Sequence, residues 1–353
     1  MIQITRRAIG GLLLAAAPVA AGAAEAARAA LNITENPFGP SAAAKAALAK
    51  AVNQVEHYPH AEEEALMDVI ARANGVSPAQ VVISTGALEP LAMMAAFWTR
   101  DGVQLAPALT YDTHVKYAAR VGQQARRAAM APDQQIDFAA MASELKPDVR
   151  LTYVCNPNNP TGLLADRAAL RAFCRQAAKT APVIVDEAFI DMCSDPATES
   201  VVDLVREGHD VIVVGTFSKS YALAAVRIGY CIAQPERAKA IRMLLAPSRN
   251  GPGLAAAAAS YRDMAYLAAS NRAVEQGRQA IYRACKAARR PYLHSAGSYV
   301  WVDFGSSEAI RGLEDQGVLV RQFTGGGPGW ARVAVADPAA LRVFAGALQK
   351  LAA

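Results

Sequence analysis

Lys219 stands in Thr216-Phe217-Ser218-Lys219, directly after the apolar run Val211-Ile212-Val213-Val214. A lysine that ends a buried strand is desolvated, and desolvation favours the neutral amine that acts as nucleophile or base. Asn159-Pro160-Thr161-Gly162 lies upstream, Asp186 ends the run Val183-Ile184-Val185, and Arg227 follows the lysine by eight residues. An amine flanked by hydroxyls, with an arginine close by, suits an imine to an aldehyde cofactor that carries a phosphate. The upstream carboxylate is what a pyridine nitrogen in such a cofactor needs. Pyridoxal phosphate is a cofactor of that kind.

These residues must be carried by strand ends. From about residue 80, short apolar strands alternate with amphipathic helices. The expected strands are Val81–Ser84, Val103–Ala106, Arg126–Met130, Arg150–Cys155, Val183–Asp186, Val211–Thr216 and Arg227–Ala233. Helical patterns between them include Glu89–Trp98, Asp166–Lys179 and Val201–Glu207. This alternation predicts an α/β fold, a mostly parallel central sheet with helices on both faces. Ligands bind such sheets beyond the carboxyl ends of the strands. Gly86, Tyr111, Asn159, Asp186 and Lys219 all fall just past strand ends.

On the N-terminal side, Leu31 to Pro40 read as an irregular segment, and Ser41 as the N-cap of a helix Ala42–Val52. On the C-terminal side, a long helical stretch Leu254–Arg289 leads to strands at Tyr299–Phe304, Val318–Arg321 and Arg332–Val335. Helices near Glu308–Gln316 and Pro338–Leu351 complete a smaller α+β lobe. The expected divisions are an export signal over 1–23, an arm and helix over 24–55, a large domain over 56–245 and a small domain over 246–353.

The chain has 353 residues, 53% hydrophobic and 19% charged, enough for a large core and too apolar for disorder. Thr5-Arg6-Arg7 precedes the apolar stretch Ile9–Ala20, and Ala21-Gly22-Ala23 offers a small-residue cleavage site. The paired arginines predict export by the twin-arginine route, with a general secretion signal or a membrane anchor as alternatives. The stretch is short and rich in Ala and Gly for a spanning helix, so no stable anchor is expected. Without these residues the net charge drops from +5 to +3, too weak and too dispersed to suggest nucleic acid as partner. Cys155, Cys174, Cys193, Cys231 and Cys285 show neither a zinc spacing nor a CxxC pair. They are expected to be small buried hydrophobes, with neither metal nor disulfide.

With these residues assembled, the chain after the leader resembles the fold-type-I pyridoxal-phosphate aminotransferases, and among them the histidinol-phosphate aminotransferase group. The segments that carry the resemblance are Leu31-Asn32 with Glu35-Asn36-Pro37-Phe38-Gly39-Pro40, Tyr58-Pro59, Asn156-Pro157-Asn158-Asn159-Pro160-Thr161-Gly162, Asp186-Glu187-Ala188-Phe189, and Thr216-Phe217-Ser218-Lys219 with Arg227-Ile228-Gly229-Tyr230. The resemblance implies that Lys219 bonds to the cofactor and shuttles the substrate α-proton. It implies that Asp186 pairs with the pyridine nitrogen, Asn159 with the ring hydroxyl oxygen, and that Tyr111 stacks on the ring. The backbone of Gly86, Ala87 and Leu88 at a helix N-terminus, with Ser218 and Arg227, would hold the phosphate. Tyr58 would reach the phosphate of the neighbouring subunit, which implies a homodimer. Arg332 would clamp the substrate α-carboxylate, with Arg321 a second candidate and Asn36 also expected on the substrate side. From its place in the loop Pro247-Ser248-Arg249-Asn250, Arg249 is expected to line the side-chain pocket and to favour an acidic or polar group.

The chain departs from that pattern at four positions. Phe189 stands where the family usually has a tyrosine, Leu88 where it has an acidic residue, Phe38 where it has a tyrosine, and Ser248 where an aromatic follows the proline. Two phenols near the substrate side chain are thus missing, which together with export points away from histidinol phosphate. The leading expectation is an exported aminotransferase acting between an amino acid and a 2-oxo acid. A decarboxylase or deaminase on the same site, and a non-catalytic binding protein of this fold, remain open alternatives.

Overall fold

The computed structural model describes residues 29–261 and 263–351. The expected export signal, and residues 24–28 of the expected arm, lie outside them. The arm opens with β1 (Ala29–Ala30) and leads to α1 (Ala42–Ala51), where Ser41 accepts the Ala44 amide as N-cap. After α2 (His60–Asn74), strands and helices alternate: β2 (Val81–Ser84), α3 (Leu88–Trp98), β3 (Val103–Pro107), α4 (Thr113–Ala119), β4 (Gln124–Ala128), α5 (Phe138–Ser143), β5 (Val149–Cys155) and α6 (Arg167–Ala177). β6 (Val183–Asp186), α7 (Pro196–Glu199), α8 (Val202–Arg206), β7 (Val211–Thr216), β8 (Gly229–Ile232) and α9 (Pro235–Leu244) continue the pattern. The chain then runs through α10 (Gly251–Tyr261), α11 (Met264–Ala287), β9 (Tyr299–Asp303), α12 (Ser307–Glu314), β10 (Val318–Leu319), β11 (Trp330–Ala334) and α13 (Pro338–Lys350).

The central sheet has the order β2-β8-β7-β6-β5-β3-β4. β3 to β7 are parallel, and β8 runs antiparallel to both of its neighbours. The pleat explains why these strands are apolar throughout. Val183 and Val185 point into one core, and Ile184, with Ile212 and Val214 of β7, points into a second core on the other face. A third core lies in the small lobe, where β9 pairs antiparallel with β11 and α11, α12 and α13 cover them.

The structure corrects several expected boundaries. The strand expected at Arg126–Met130 is β4, two residues earlier. The single long helix expected over Leu254–Arg289 is two, because Asp263 caps a new one by accepting the Tyr266 amide. α10, expected in the small domain, instead packs on α1 and α2, and its Leu254, Ala256 and Ala257 belong to the large-lobe core. Ala29 and Leu31 of the arm join the small-lobe core, so the arm links the lobes. The five cysteines are buried and free. Among the described residues no helix is long and apolar enough to cross a membrane.

Candidate active site

Parallel strands bring their carboxyl ends together, so Cys155 of β5 lies beside Asp186 of β6, and Asp186 beside Val214 of β7. A cavity of about 260 Å³ opens above these ends. Lys219, Asp186, Asn159, Tyr111, Ala87, Leu88, Ser218, Arg227, Arg321 and Arg332 all line it, and Gly86 sits at its edge, against Arg227.

Lys219 lies in the loop that joins β7 to the antiparallel β8. The loop is closed at its base, where the Phe217 amide donates to the Ile228 carbonyl at 3.1 Å. Phe217 turns down into a cluster with Tyr221, Tyr230 and Tyr261 and anchors the segment that carries Ser218 and Lys219. The Lys219 Nζ donates to the Thr34 carbonyl at 2.6 Å and to Thr34 Oγ1 at 3.1 Å. Burial, and then the nearby Arg332, push its pKa down to about 8, against the pull of Asp186 and Glu35.

Asp186 is 3% exposed. Its Oδ2 accepts from the Tyr153 hydroxyl at 3.0 Å and its Oδ1 from the Ala188 amide at 3.1 Å. Neither partner is a cation, and burial raises its pKa to about 6. Behind it lies an aromatic layer. Tyr111 stacks on His114 with ring centroids 6.3 Å apart, and His114 meets Tyr153 at 4.3 Å. His114 is wholly buried with its Nε2 3.0 Å from Gln104 Nε2, and burial pushes its pKa down to about 3.

The loop after β5 presents Asn159. It is held by Asn158, whose Nδ2 donates to the Leu109 carbonyl at 3.1 Å and whose Oδ1 accepts from Thr110 Oγ1 at 2.8 Å. Asn159 and Tyr111 are thereby fixed as one unit. Arg332, 1% exposed, donates from Nη1 to Asn159 Oδ1 at 2.9 Å and from Nη2 to the Asn32 carbonyl at 2.9 Å. Its Nε is buried without a partner, and no carboxylate of the described residues pairs with it. A buried guanidinium in that state is poised for an anion. Arg321 stands beside it across an isolated bridge, half-buried at the cavity wall.

At the opposite end, Gly86 adopts φ +71°, and a Cβ there would lie 2.4 Å from Arg227 Nη2. The missing side chain is what admits the guanidinium, beside the amides of Ala87 and Leu88 at the start of α3, whereas the Gly86 amide, also expected in the cradle, is taken by the Ser84 carbonyl at 2.9 Å. Glu89 accepts the Thr85 amide at 2.6 Å and so secures the turn. Ser218 adds a hydroxyl, which accepts from Thr216 Oγ1 at 3.0 Å.

The residues fit pyridoxal phosphate. A buried carboxylate without a cation can meet a protonated ring nitrogen, a cradle kept open by Gly86 can take the phosphate, and a partly neutral lysine lies between them.

Comparison with known proteins agrees. The family model described as aminotransferase class I and II matches residues 29–348. The chain belongs to the class I and II aminotransferases. It is a pyridoxal-phosphate-dependent aminotransferase, similar to histidinol-phosphate aminotransferases. It is 33% identical to the histidinol-phosphate aminotransferase of Moorella thermoacetica over 82% of this chain and 76% of that protein. It is 33% identical to that of Rubrobacter xylanophilus over 90% of each chain. The crystal structure of histidinol-phosphate aminotransferase from Sinorhizobium meliloti in complex with pyridoxal-5'-phosphate superposes with a TM-score of 0.84 at 27% identity, covering 92% of this chain and 90% of that one.

Two expected site residues, Asn36 and Arg249, lie elsewhere in this aminotransferase, and Tyr58, expected to serve the neighbouring subunit, lies outside the cavity of its own chain. Asn36 does not line the cavity. Its Nδ2 donates to the backbone carbonyls of Lys219 and Ser220, each at 3.2 Å, and so pins the lysine's main chain. Arg249 does not line the cavity either. Its Nε donates to the Ile83 carbonyl of β2 at 3.1 Å, its Nη1 to the Ala246 carbonyl, and its Nη1 lies 3.8 Å from Glu89 Oε1 of α3, so it ties β2 to the start of α3. An acidic substrate group therefore does not meet Arg249 within one chain. Tyr58 is 78% exposed and lines a separate hollow with Ser248 and Arg249. Conversely, the sequence reading missed Thr34, Tyr153 and Asn158. Asn158 had a usable signal, since it adjoins Asn159 in a Pro-rich loop. Tyr153, inside an apolar strand, had none.

Proposed function

We propose that this aminotransferase is exported and transfers an amino group between an amino acid and a 2-oxo acid other than the histidinol phosphate pair. The observation that carries the chemistry is the convergence of Lys219, Asp186 and the unpaired Arg332 on one cavity. When bound, pyridoxal phosphate supplies an electron-accepting ring that makes the substrate α-proton removable. Arg332 binds the substrate α-carboxylate through its free Nε edge. Asp186, ionised once it faces a cation, would hold the proton on the ring nitrogen. Lys219 Nζ, with its pKa near 8, would take the proton from the substrate α-carbon and carry it between substrate and cofactor. Tyr111, in the cavity wall, would stack on the ring, and the arm at Thr34 and Glu35 lines the cavity beside the lysine.

Export is supported by Arg6-Arg7 and the apolar stretch Ile9–Ala20. The twin-arginine route carries folded proteins, which suits an enzyme loaded with cofactor before transport. The choice of substrate is supported by the resemblance, in which Phe38 and Ser248 replace phenols; within one chain both positions line outer hollows rather than the cavity, contrary to their expected place beside the substrate side chain. A homodimer with Tyr58 reaching the partner's phosphate site is supported by the exposure of Tyr58 and of Val52 and Val55 on the same segment, at 57% and 64%.

The test is the visible absorbance of the mature protein against a panel of amino acids. A donor that bleaches the cofactor band, followed by a 2-oxo acid that restores it, identifies both substrates. Bleaching by histidinol phosphate above all others would overturn the substrate proposal. Detection of the mature chain only in the cytoplasmic fraction would overturn export.

A further inference from the structure

The Lys219 side chain ends on a single residue. Its Nζ donates to two atoms of Thr34, the main-chain carbonyl at 2.6 Å and Oγ1 at 3.1 Å, across 185 positions of chain. Thr34 is 6% exposed, so water does not substitute freely for it. Two residues along the arm, Asn36 holds the carbonyls of Lys219 and Ser220. The arm therefore grips the lysine at both ends.

The other neighbours of Nζ offer charge or an apolar face. Arg332 from the small lobe and Arg227 from its own loop bring positive charge to it, Asp186 from β6 and Glu35 from the arm negative charge, and Arg321 and Tyr111 line the same cavity. The Phe189 ring lies with its centroid 5.5 Å away and brings no hydroxyl. A neutral amine has two N–H groups and one lone pair. The two Thr34 oxygens match the two N–H groups and leave the lone pair free.

We propose that Thr34 is a positioning residue that holds the Lys219 amine whenever the lysine is not bonded to the cofactor, and so sets when that amine is a free base. The proposal rests on Lys219 being the cofactor lysine. The carbonyl holds the amine in place, and the hydroxyl tunes its basicity. A serine can do the same, and an isosteric valine cannot.

The test uses the whole apoenzyme and the rate at which it captures pyridoxal phosphate, followed by the visible band across a range of pH. Capture joins the neutral amine to the aldehyde carbon and releases its oxygen as water, so the rate follows the neutral fraction of Lys219. Comparing variants at each pH cancels the cofactor's own ionisation. Thr34→Val removes an acceptor that the charged amine needs more than the neutral one. Its midpoint falls by roughly one pH unit, about tenfold in the protonation equilibrium. Thr34→Ser keeps the wild-type midpoint. A valine variant with the wild-type midpoint, or a serine variant shifted as far as valine, overturns the proposal alone. If Thr34→Val does not fold, Thr34→Ala against Thr34→Ser makes the same comparison. A wild-type apoenzyme that forms no band overturns the cofactor assignment and the proposal with it.

Discussion

Asp186 and Glu187 are chain neighbours, both buried, and they do different work. Asp186 faces the cavity. Glu187 faces away, accepting from the Ser200 hydroxyl at 2.7 Å and the Val201 amide at 2.8 Å, where it secures the entry to α8. Burial raises the Glu187 pKa from 4.5 to about 7. The folded state therefore holds this proton at pH values where the unfolded chain has released it. The contribution to stability is fully present below the unfolded pKa and is lost as pH rises through about 7. Glu187→Gln removes that dependence. The variant should gain stability relative to the wild type between pH ~5 and ~8, by an amount of order 1–3 kcal/mol, measured as the difference in denaturation midpoint across that range. Not every residue was equally legible from the sequence. Lys219, Asp186 and Asn159 could be read because each follows a strand or fills a turn, where side-chain chemistry is confined by the backbone. Thr34 lies in an irregular segment without periodicity, and its partner is distant in the chain, so no local pattern pointed to it.

At the scale of elements, the phosphate cradle depends on two backbones in left-handed conformation, Gly86 at φ +71° and Arg227 at φ +58°. Gly86→Ala would strain its own turn by about 1–2 kcal/mol and push the Arg227 guanidinium aside. The expected outcome is a folded enzyme that loses cofactor on dialysis, seen as loss of the visible band, while Ala87→Gly keeps it. The alternation of strands and helices was legible because parallel strands buried on both faces are short and apolar throughout. The direction of β8 was not, because Gly229-Tyr230-Cys231-Ile232 reads the same either way. Its direction follows from the connection, a closed loop over 217–228 with no crossover helix. The break between α10 and α11 was also hidden, since helix-forming alanines continue up to Tyr261 and resume after Asp263. β4 was placed too late because an edge strand carrying Arg126 and Arg127 need not be apolar.

For the molecule as a whole, the proposed dimer makes a clear prediction. Tyr58→Ala should weaken cofactor retention, and Lys219→Ala should abolish turnover. If Tyr58 serves the neighbouring subunit, refolding the two variants together restores sites with wild-type retention, because one site in each mixed dimer has both residues. Dilution of the mixture, followed by the visible band, reads this, and retention no better than that of Tyr58→Ala alone would exclude the shared site. The two-lobe plan could be read from the change of pattern after the central strands. The traffic between lobes could not, because the assignment of α10 to the large-lobe core and of Ala29 and Leu31 to the small-lobe core depends on packing between distant segments. The sheet order has a bearing on synthesis. β2 lies at an edge, with β8 as its hydrogen-bonded neighbour, and Ser84 pairs with Gly229. A nascent chain that has already exposed β2 must wait for some 145 more residues before that strand has a place in the sheet. The ribosome thus delivers the two halves of the anion cradle far apart in time, and the cofactor can be received only late in translation.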